Sequence, residues 1–131
     1  MHNLEIEKLV MQRLITFAAF DKTRMARVNV NFTPPTTGIW IRPSILPTSS
    51  KMTGMSNKPC VREIGFVVIE VFDRENVGTG ALKDYVDKLG EYMQLIQLGK
   101  LDLLEASCDD AGFDEVYKMY KLIIRIPYRY N

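Results

Sequence analysis

The stretch from Val61 to Phe72 constrains the fold more than any other part of the chain, because apolar residues fill both of its alternating sets of positions. The two sets are Ile64, Phe66 and Val68 on one side and Val67, Ile69 and Val71 on the other. Since neighbouring residues of a strand point to opposite faces, this pattern predicts a central strand covered on both faces. Glu70 shares the first face, where a buried carboxylate needs a cationic or hydrogen-bonding partner.

Two amphipathic helices are predicted, over about residues 4–20 and 81–97. In the first, apolar residues recur at spacings of three or four over Ile6–Phe17, with charged and polar residues on the opposite side. The same spacing runs over Leu82–Ile96, and Gly99 suits the C-terminal end of this helix. Each helix therefore has one apolar face with which to cover a sheet.

Four further strands are predicted from shorter patterns. They lie at 26–32, 38–42, 101–106 and 117–128. Apolar and polar residues alternate in the first of them, which is typical of a half-exposed strand. Pro43 and Pro47 limit the second to a sheet edge or an early end, since proline cannot donate a ladder hydrogen bond. An acidic turn at Asp109–Gly112 precedes the last strand.

The elements follow one another in the order α-β-β-β-α-β-β, and no internal repeat or domain linker interrupts them. The 131 residues fit a single domain, 1–131. We therefore expect an α+β fold in which both helices pack on one mixed or antiparallel sheet of four to five strands. The stretch at about 48–60 is polar and predicts a mobile loop, which at this length is often functional.

The composition matches a soluble globular protein and argues against several classes of function. Apolar residues make up 47% of the chain, and no apolar run approaches the roughly 20 residues needed to span a bilayer. The N-terminus lacks the basic and apolar segments of a signal peptide, so a cytoplasmic location is expected. The net charge of +1 argues against general nucleic-acid binding, which needs several clustered cations.

No pattern in the chain supports a catalytic, cofactor or metal site. His2 is the only histidine and lies at a terminus that is expected to fray, so no catalytic triad can be built around it. Cys60 and Cys108 are expected to be free thiols in a reducing compartment. Gly78–Gly80 lacks the lysine and spacing of phosphate-binding loops, and Asp109–Glu115 lacks the ligand pattern of a calcium loop.

Charge is segregated along the chain into a basic block and an acidic block. The basic block, residues 22–62, contains seven cations and no Asp or Glu, whereas the acidic block, residues 101–117, contains six anions and no Lys or Arg. Two blocks of opposite charge on one chain favour head-to-tail self-association, in which different surfaces of two copies meet. The alternative is that both blocks are solvated or pair within the monomer.

Four segments occur in a fixed order around the polar stretch at 48–60. They are Asn31-Phe32-Thr33-Pro34-Pro35, Gly38-Ile39-Trp40-Ile41-Arg42 with Leu46-Pro47, Arg62-Glu63-Ile64-Gly65-Phe66 through Glu70-Val71-Phe72, and Gly78-Thr79-Gly80 before a helix. In this order and at this chain length they resemble the tail terminator family of long-tailed phages. The resemblance spans most of the chain, but the terminal strands and the acidic turn match the family only in pattern.

The resemblance implies a structural virion protein and not an enzyme. Such a protein forms a ring, expected to be a hexamer, on the last disc of the tail tube, halts the addition of tube subunits, and presents a surface to the neck or head-completion proteins. Its place is the head-proximal end of the virion tail, after assembly in the host cytoplasm. The expected partners are copies of itself, the tube protein and a neck protein, with no cofactor, membrane or specific nucleic acid.

The charge blocks then become opposite sides of a contact between subunits or with the tube. The candidate interface residues are Arg42, Lys51, Lys58 and Arg62 from the basic block and Asp109, Asp110, Asp114 and Glu115 from the acidic block. Three other functions stay open. They are another phage neck or head-completion protein, a small enzyme that uses Cys60 or Cys108, and a nucleic-acid-binding module that uses the basic block. A thiol enzyme requires a depressed cysteine pKa, and a nucleic-acid module requires affinity at physiological salt.

Overall fold

The computed structural model of the chain describes residues 2–17, 25–26, 38–53, 60–74, 80–115 and 118–130. These residues form two helices and six strands. The elements are α1 (Asn3–Ile15), β1 (Trp40–Thr53), β2 (Cys60–Arg74), α2 (Gly80–Met93), β3 (Ile96–Leu98), β4 (Leu101–Leu103), β5 (Ser107–Asp114) and β6 (Met119–Tyr130). The α+β class predicted from the sequence is confirmed, with more strands than the four to five expected.

All six strands belong to one sheet, in the order β1-β2-β6-β4-β3, and β5 also pairs with β6. Every pairing between these strands is antiparallel. β2 lies between β1 and β6, which confirms the apolar run as a central strand. β4 and β5 pair with successive parts of the same edge of β6.

Both helices pack on one face of the sheet. Their buried residues join the strand residues of that face in the main core. The helix residues are Ile6, Val10, Met11 and Leu14 from α1 and Leu82, Val86, Leu89 and Met93 from α2. Val67, Ile69 and Val71 of β2 are fully buried beneath them. No helix in the described ranges has both the length and the apolar character needed to cross a membrane.

For the described part of the chain, the expectation that β2 is covered on both faces holds only at one end of the strand, where Phe72 is fully buried on the second face in a cluster with Trp40 and Ala26. Ile64, Phe66 and Val68 are only partly buried, whereas the opposite set is fully buried. The reason is that α1 and α2 share one face, so the described elements supply no second helical layer. We call the face that contains Phe66 and Val68 the open face of the sheet.

The helix boundaries differ from the predicted ones. α1 ends at Ile15, and residues 18–24, which complete the predicted helix, lie outside the described residues. α2 ends at Met93, because Leu95 adopts a positive φ of 54° and Ile96 begins β3. Gly99 does not end the helix, since its φ of 62° places it in the two-residue turn that joins β3 to β4.

β1 and β2 form a long hairpin that replaces part of the predicted loop at 48–60. β1 continues through residues 48–53, and Thr53 still pairs with Cys60. The loop prediction is therefore wrong for 48–53, because backbone pairing with β2 holds these polar residues in a strand. Residues 54–59 lie outside the described residues. Pro43 and Pro47 do not stop β1, which they can join because it lies at the end of the described sheet order.

The remaining predicted strands also need correction. Of the predicted strand at 26–32, only Ala26 falls in the described residues, and Met25 beside it makes an isolated parallel bridge to Ile41. The strand predicted at 101–106 is the shorter β4. The predicted acidic turn is instead β5, which is paired with β6 and contains a bulge between Asp110 and Gly112. The bulge accommodates Gly112 with a φ of 70°.

Candidate interaction surface

The open face combines partly buried apolar residues with charged pairs. Ile64, Phe66, Val68 and Ile123 are half-buried, and Leu46 is 55% exposed. The strand registers place these residues on one face of three adjacent strands, with Arg125 opposite Val68 and Glu70 opposite Ile123. A half-exposed apolar area bordered by charge is typical of a surface that meets another protein.

Arg42 lies on the open face and links three strands. Its Nη2 atom is 2.5 Å from Oε2 of Glu70 on β2, and Nζ of Lys121 on β6 is 3.8 Å from the same oxygen. The guanidinium also lies 5.6 Å from the centre of the Phe72 ring, which stacks on Trp40. The expectation that Glu70 needs a cationic partner is confirmed. Arg42 therefore has an internal partner and is also 34% exposed in its side chain.

Two further ion pairs follow the open face towards the other end of the sheet. Arg125 on β6 pairs with Asp109 on β5, and both side chains are about half exposed. Arg129 on β6 pairs with Asp102 on β4, at 3.0 Å between Nη2 and Oδ2. Asp109 thus pairs with a cation outside the basic block. Among the described ion pairs, none joins the basic block to the acidic block.

Asp109 and Asp110 do not act as one acidic cluster, because adjacent residues of β5 point to opposite faces. Asp110 accepts a hydrogen bond of 2.5 Å from the hydroxyl group of Tyr120 and another of 2.9 Å from the backbone N–H of Gly112. These two bonds lower the pKa of Asp110 and the first raises the pKa of Tyr120. Asp110 therefore stabilises the bulge as well as carrying charge.

For most of the other candidate interface residues, the structure describes the backbone or the exposure but no side-chain contact. The backbone of Lys51 on β1 is paired with that of Arg62 on β2, and Arg62 is half-buried. Asp114 is the last residue of β5, and its backbone lies opposite Met119 on β6. Glu115 is exposed in the turn that follows β5. Lys58 lies outside the described residues. The structure therefore places the basic residues on β1 and β2 and the acidic residues on and after β5, on different parts of the sheet.

A buried carboxylate that the sequence analysis missed holds the start of α1 against the sheet. Glu63 is 6% exposed. Its Oε1 accepts a hydrogen bond of 3.2 Å from the backbone N–H of His2, and its Oε2 lies 2.7 Å from Nδ1 of the imidazole. The imidazole stacks on the ring of Tyr130, whose hydroxyl group donates a 2.5 Å hydrogen bond to Glu5. That bond raises the pKa of Tyr130 to about 12. His2 is therefore held and not frayed.

The chemistry of the described thiol does not favour catalysis. Cys108 is free and exposed on β5. Burial of the sulfur, followed by the charges of Asp109, Asp87 and Asp110, raises the pKa of Cys108. A thiol enzyme requires the opposite shift, because the thiolate is the nucleophile. The side chain of Cys60 is not among those described. Within the described ranges, no group of three or more His, Cys, Asp or Glu side chains could hold a metal ion.

The chain is similar to a known protein family. The family model described as phage tail terminator protein matches residues 5–97, which is more than half of the chain. The matched range contains most of α1, the β1–β2 hairpin, α2 and the first two residues of β3. It stops before β4, so the acidic block lies outside it. No curated protein matches the chain.

Proposed function

Because the chain belongs to the phage tail terminator family, whose members are structural proteins of the phage tail, we propose that it caps the growing tail tube and stops its polymerisation. The capping form is a ring of identical subunits, expected to be a hexamer. One side of the ring binds the last disc of the tube, and the other side binds a neck or head-completion protein. The family match over residues 5–97 is the observation that carries this proposal.

The arrangement of charge supports a head-to-tail contact between the subunits. The described cations of the basic block lie on β1 and β2, at one end of the sheet order, and the acidic residues lie on β5 and the turn after it. The positive region of one copy can therefore meet the negative region of a second copy with complementary charge. Such a contact is heterologous, and it closes into a ring when the rotation between neighbours closes.

The candidate interface residues contribute to this contact in two ways. Arg42 and Asp109 are partly exposed but are paired within the chain. They contribute to the electrostatic potential of the surface and need not form new ion pairs. Glu115 is exposed after β5, which supports a direct contact with a neighbouring subunit as its proposed role. Lys51, Lys58, Arg62, Asp110 and Asp114 complete the proposed set.

Termination needs only binding energy. One side of the ring matches the end of the tube, and the other side lacks the surface to which tube subunits add. The ring therefore blocks the next tube subunit without any chemical step. The proposal therefore requires no cofactor. Its partners are the tube protein, the neck protein and the chain itself, and its place is the head-proximal end of the tail.

Polymerisation of purified tube subunits from the same phage tests this function. Tubes grown with the protein present should be shorter, and electron microscopy should show extra density at one end of each tube. Tubes of unchanged length without such density would overturn the proposal. A protein that binds the ends of finished tubes but leaves growth unaffected would be a neck protein, which is the alternative function.

A further inference from the structure

An apolar groove lies between α1 and β1, at one end of the sheet order. It has a volume of about 360 Å³. Its apolar lining consists of Val10, Met11, Pro43, Ile45 and Pro47. An engineered protein cavity of about 150 Å³ already holds a benzene ring, so this groove has room for at least one bulky apolar side chain.

The outer edge of β1 does not favour a further strand as the occupant of this groove. Ala26 donates its backbone N–H to the carbonyl oxygen of Ile41 at 2.8 Å, so the backbone groups of Ile41 point away from β2. Because this direction alternates along a strand, Pro43 and Pro47 turn their nitrogen atoms to the same outer edge. Proline has no N–H, so a ladder along this edge would be interrupted at both positions. An occupant of the groove is therefore held mainly by its side chains.

Exposed large apolar side chains lie on both sides of the sheet. β6 separates the two sides, because β2 pairs with one of its edges and β4 and β5 pair with the other. On the side of α1 and β1 the exposed residues include Leu4, Ile15 and Leu46, and on the other side they include Leu95, Leu104 and Phe113. Apolar residues at both ends of one sheet are the arrangement that a head-to-tail contact between copies requires.

Leu95 is 70% exposed in the turn between α2 and β3. Its φ of 54° lies in the left-handed region, which leucine rarely adopts. Its backbone N–H donates a 3.2 Å hydrogen bond to the carbonyl oxygen of Leu104, which continues the pairing of β3 with β4 and brings the two leucines side by side. We call Leu95 and Leu104 the leucine ridge. Strained backbone positions are concentrated at functional sites, so an exposed leucine held in this way indicates a contact surface.

The groove and the leucine ridge carry complementary charges. Glu7, which lines the groove, is exposed and is followed on α1 by the exposed Lys8. On the side of the ridge, Lys100 is exposed in the turn between β3 and β4, and Glu105 is exposed directly after Leu104. Each surface thus offers a cation and an anion to the other. The wider surfaces also differ in sign, because the basic block supplies β1 and the start of β2 and the acidic block supplies β4 and β5.

We propose that the leucine ridge of one copy packs in the groove between α1 and β1 of the next copy. This inference rests on the proposed ring, and it adds an apolar anchor to a contact whose surface ion pairs alone contribute little. The occupant is a second copy, because one chain carries the ridge on one side of its sheet and the groove on the other, with opposite charge around them. The contact is heterologous, so each copy uses its ridge towards one neighbour and its groove towards the other.

Cross-linking between the ridge and the groove tests the contact. The chain carries Leu95→Cys and Glu7→Cys in a background of Cys60→Ser and Cys108→Ser, and it is treated with a short bis-maleimide after it has terminated tubes of the same phage. The expected result is a ladder of covalent multimers. A matched control replaces Glu7→Cys with Gln12→Cys, an exposed position of α1 that does not line the groove, and should give no ladder. If Leu95→Cys prevents folding, Leu104→Cys takes its place.

Leu95→Asn separates the contact from folding. Asparagine adopts a positive φ more readily than leucine, so this variant should unfold no more easily than the unmodified chain in denaturant. The concentration that it needs to terminate tubes should rise at least tenfold, because the contact loses a buried leucine side chain. Gln12→Asn, the matched control, should leave this concentration unchanged.

Three results would count against the contact. Terminated tubes that give no ladder, an equal ladder from the Gln12→Cys control, or an unchanged terminating concentration for Leu95→Asn would each overturn the contact and leave the proposed function standing. Tubes that are not terminated by the unmodified protein would overturn the proposed function and this inference together.

Discussion

The ring of Tyr128 on β6 lies directly against Gly65 on β2. A Cβ atom at Gly65 would come within 2.8 Å of both Cε2 and the hydroxyl oxygen of Tyr128, and it would lie even closer to the carbonyl oxygen of Leu46. Gly65 pairs with β1 on one side and β6 on the other, so its backbone has little room to move. The register of β1 shifts beside it, between Pro47 and Ser49. The absence of a side chain at this position lets the three strands meet.

Gly65→Ala should therefore lower the free energy of unfolding by about 1–3 kcal/mol, the usual cost of overpacking a tight interior site. Gly80→Ala is the matched control, because a Cβ atom at Gly80 meets nothing within 4 Å and alanine favours a helix. Denaturant unfolding measures both variants. If Gly65→Ala and Gly80→Ala lowered the free energy of unfolding by the same amount, the close contact between Gly65 and Tyr128 would not limit the packing of the strands.

The imidazole of His2 should stabilise the fold through Glu63. His2→Ala leaves the backbone N–H in place but removes one partner of a carboxylate that is 6% exposed, so a loss of about 1 kcal/mol is expected. In the Glu63→Gln background the same change should cost less, because no buried charge is left behind. A double-mutant cycle without coupling between the two positions would contradict this account.

Stability should fall at high pH because of Tyr130. Its hydroxyl group donates a hydrogen bond to Glu5, which raises the pKa of Tyr130 to about 12, above the value of about 10 for an unfolded chain. The folded protein holds this proton more tightly, so the contribution is complete below about pH 10 and is lost as the pH rises towards about 12. Tyr130→Phe should remove this part of the pH dependence in unfolding experiments. Ultraviolet titration of the phenolate in Glu5→Gln should show a lower pKa for Tyr130, and an unchanged pKa would count against the hydrogen bond as its cause.

A charge swap should separate the internal role of Arg42 from its proposed role between subunits. Arg42→Glu should cost up to about 1 kcal/mol in stability, because it places two carboxylates side by side. Adding Glu70→Arg restores an internal pair and should recover part of the stability, because the new arginine also faces Lys121. Self-association measured by sedimentation should stay weak. Recovery of self-association in the swapped protein would mean that Arg42 acts only within the chain.

Hydrophobic periodicity was sufficient to predict the two helices, the central strand β2 and the α+β class. Each of these elements buries residues at regular spacing, such as Val67, Ile69 and Val71 in β2, so its hydrophobic pattern is visible in the local sequence. β5 was predicted as a turn because its residues are polar and exposed, and only its ladder to β6 makes it a strand. The extension of β1 through Pro43 and Pro47 likewise depends on pairing with a distant segment.

The candidate surface was only partly predictable for the same reason. Segregated charge indicated the residues, but Asp109 with Arg125 and Arg42 with Glu70 are pairs across strands that the local sequence does not reveal. The contact between His2 and Glu63 joins residues that are 61 positions apart.

The length of the tails made without this protein tests the proposed function most directly. Electron microscopy of particles from an infection in which the phage lacks a functional copy should show tails of uncontrolled length that are not joined to heads. Supplying the protein from a plasmid should restore tails of uniform length. Tails of normal length that merely fail to join heads would contradict termination and would assign the protein to the neck.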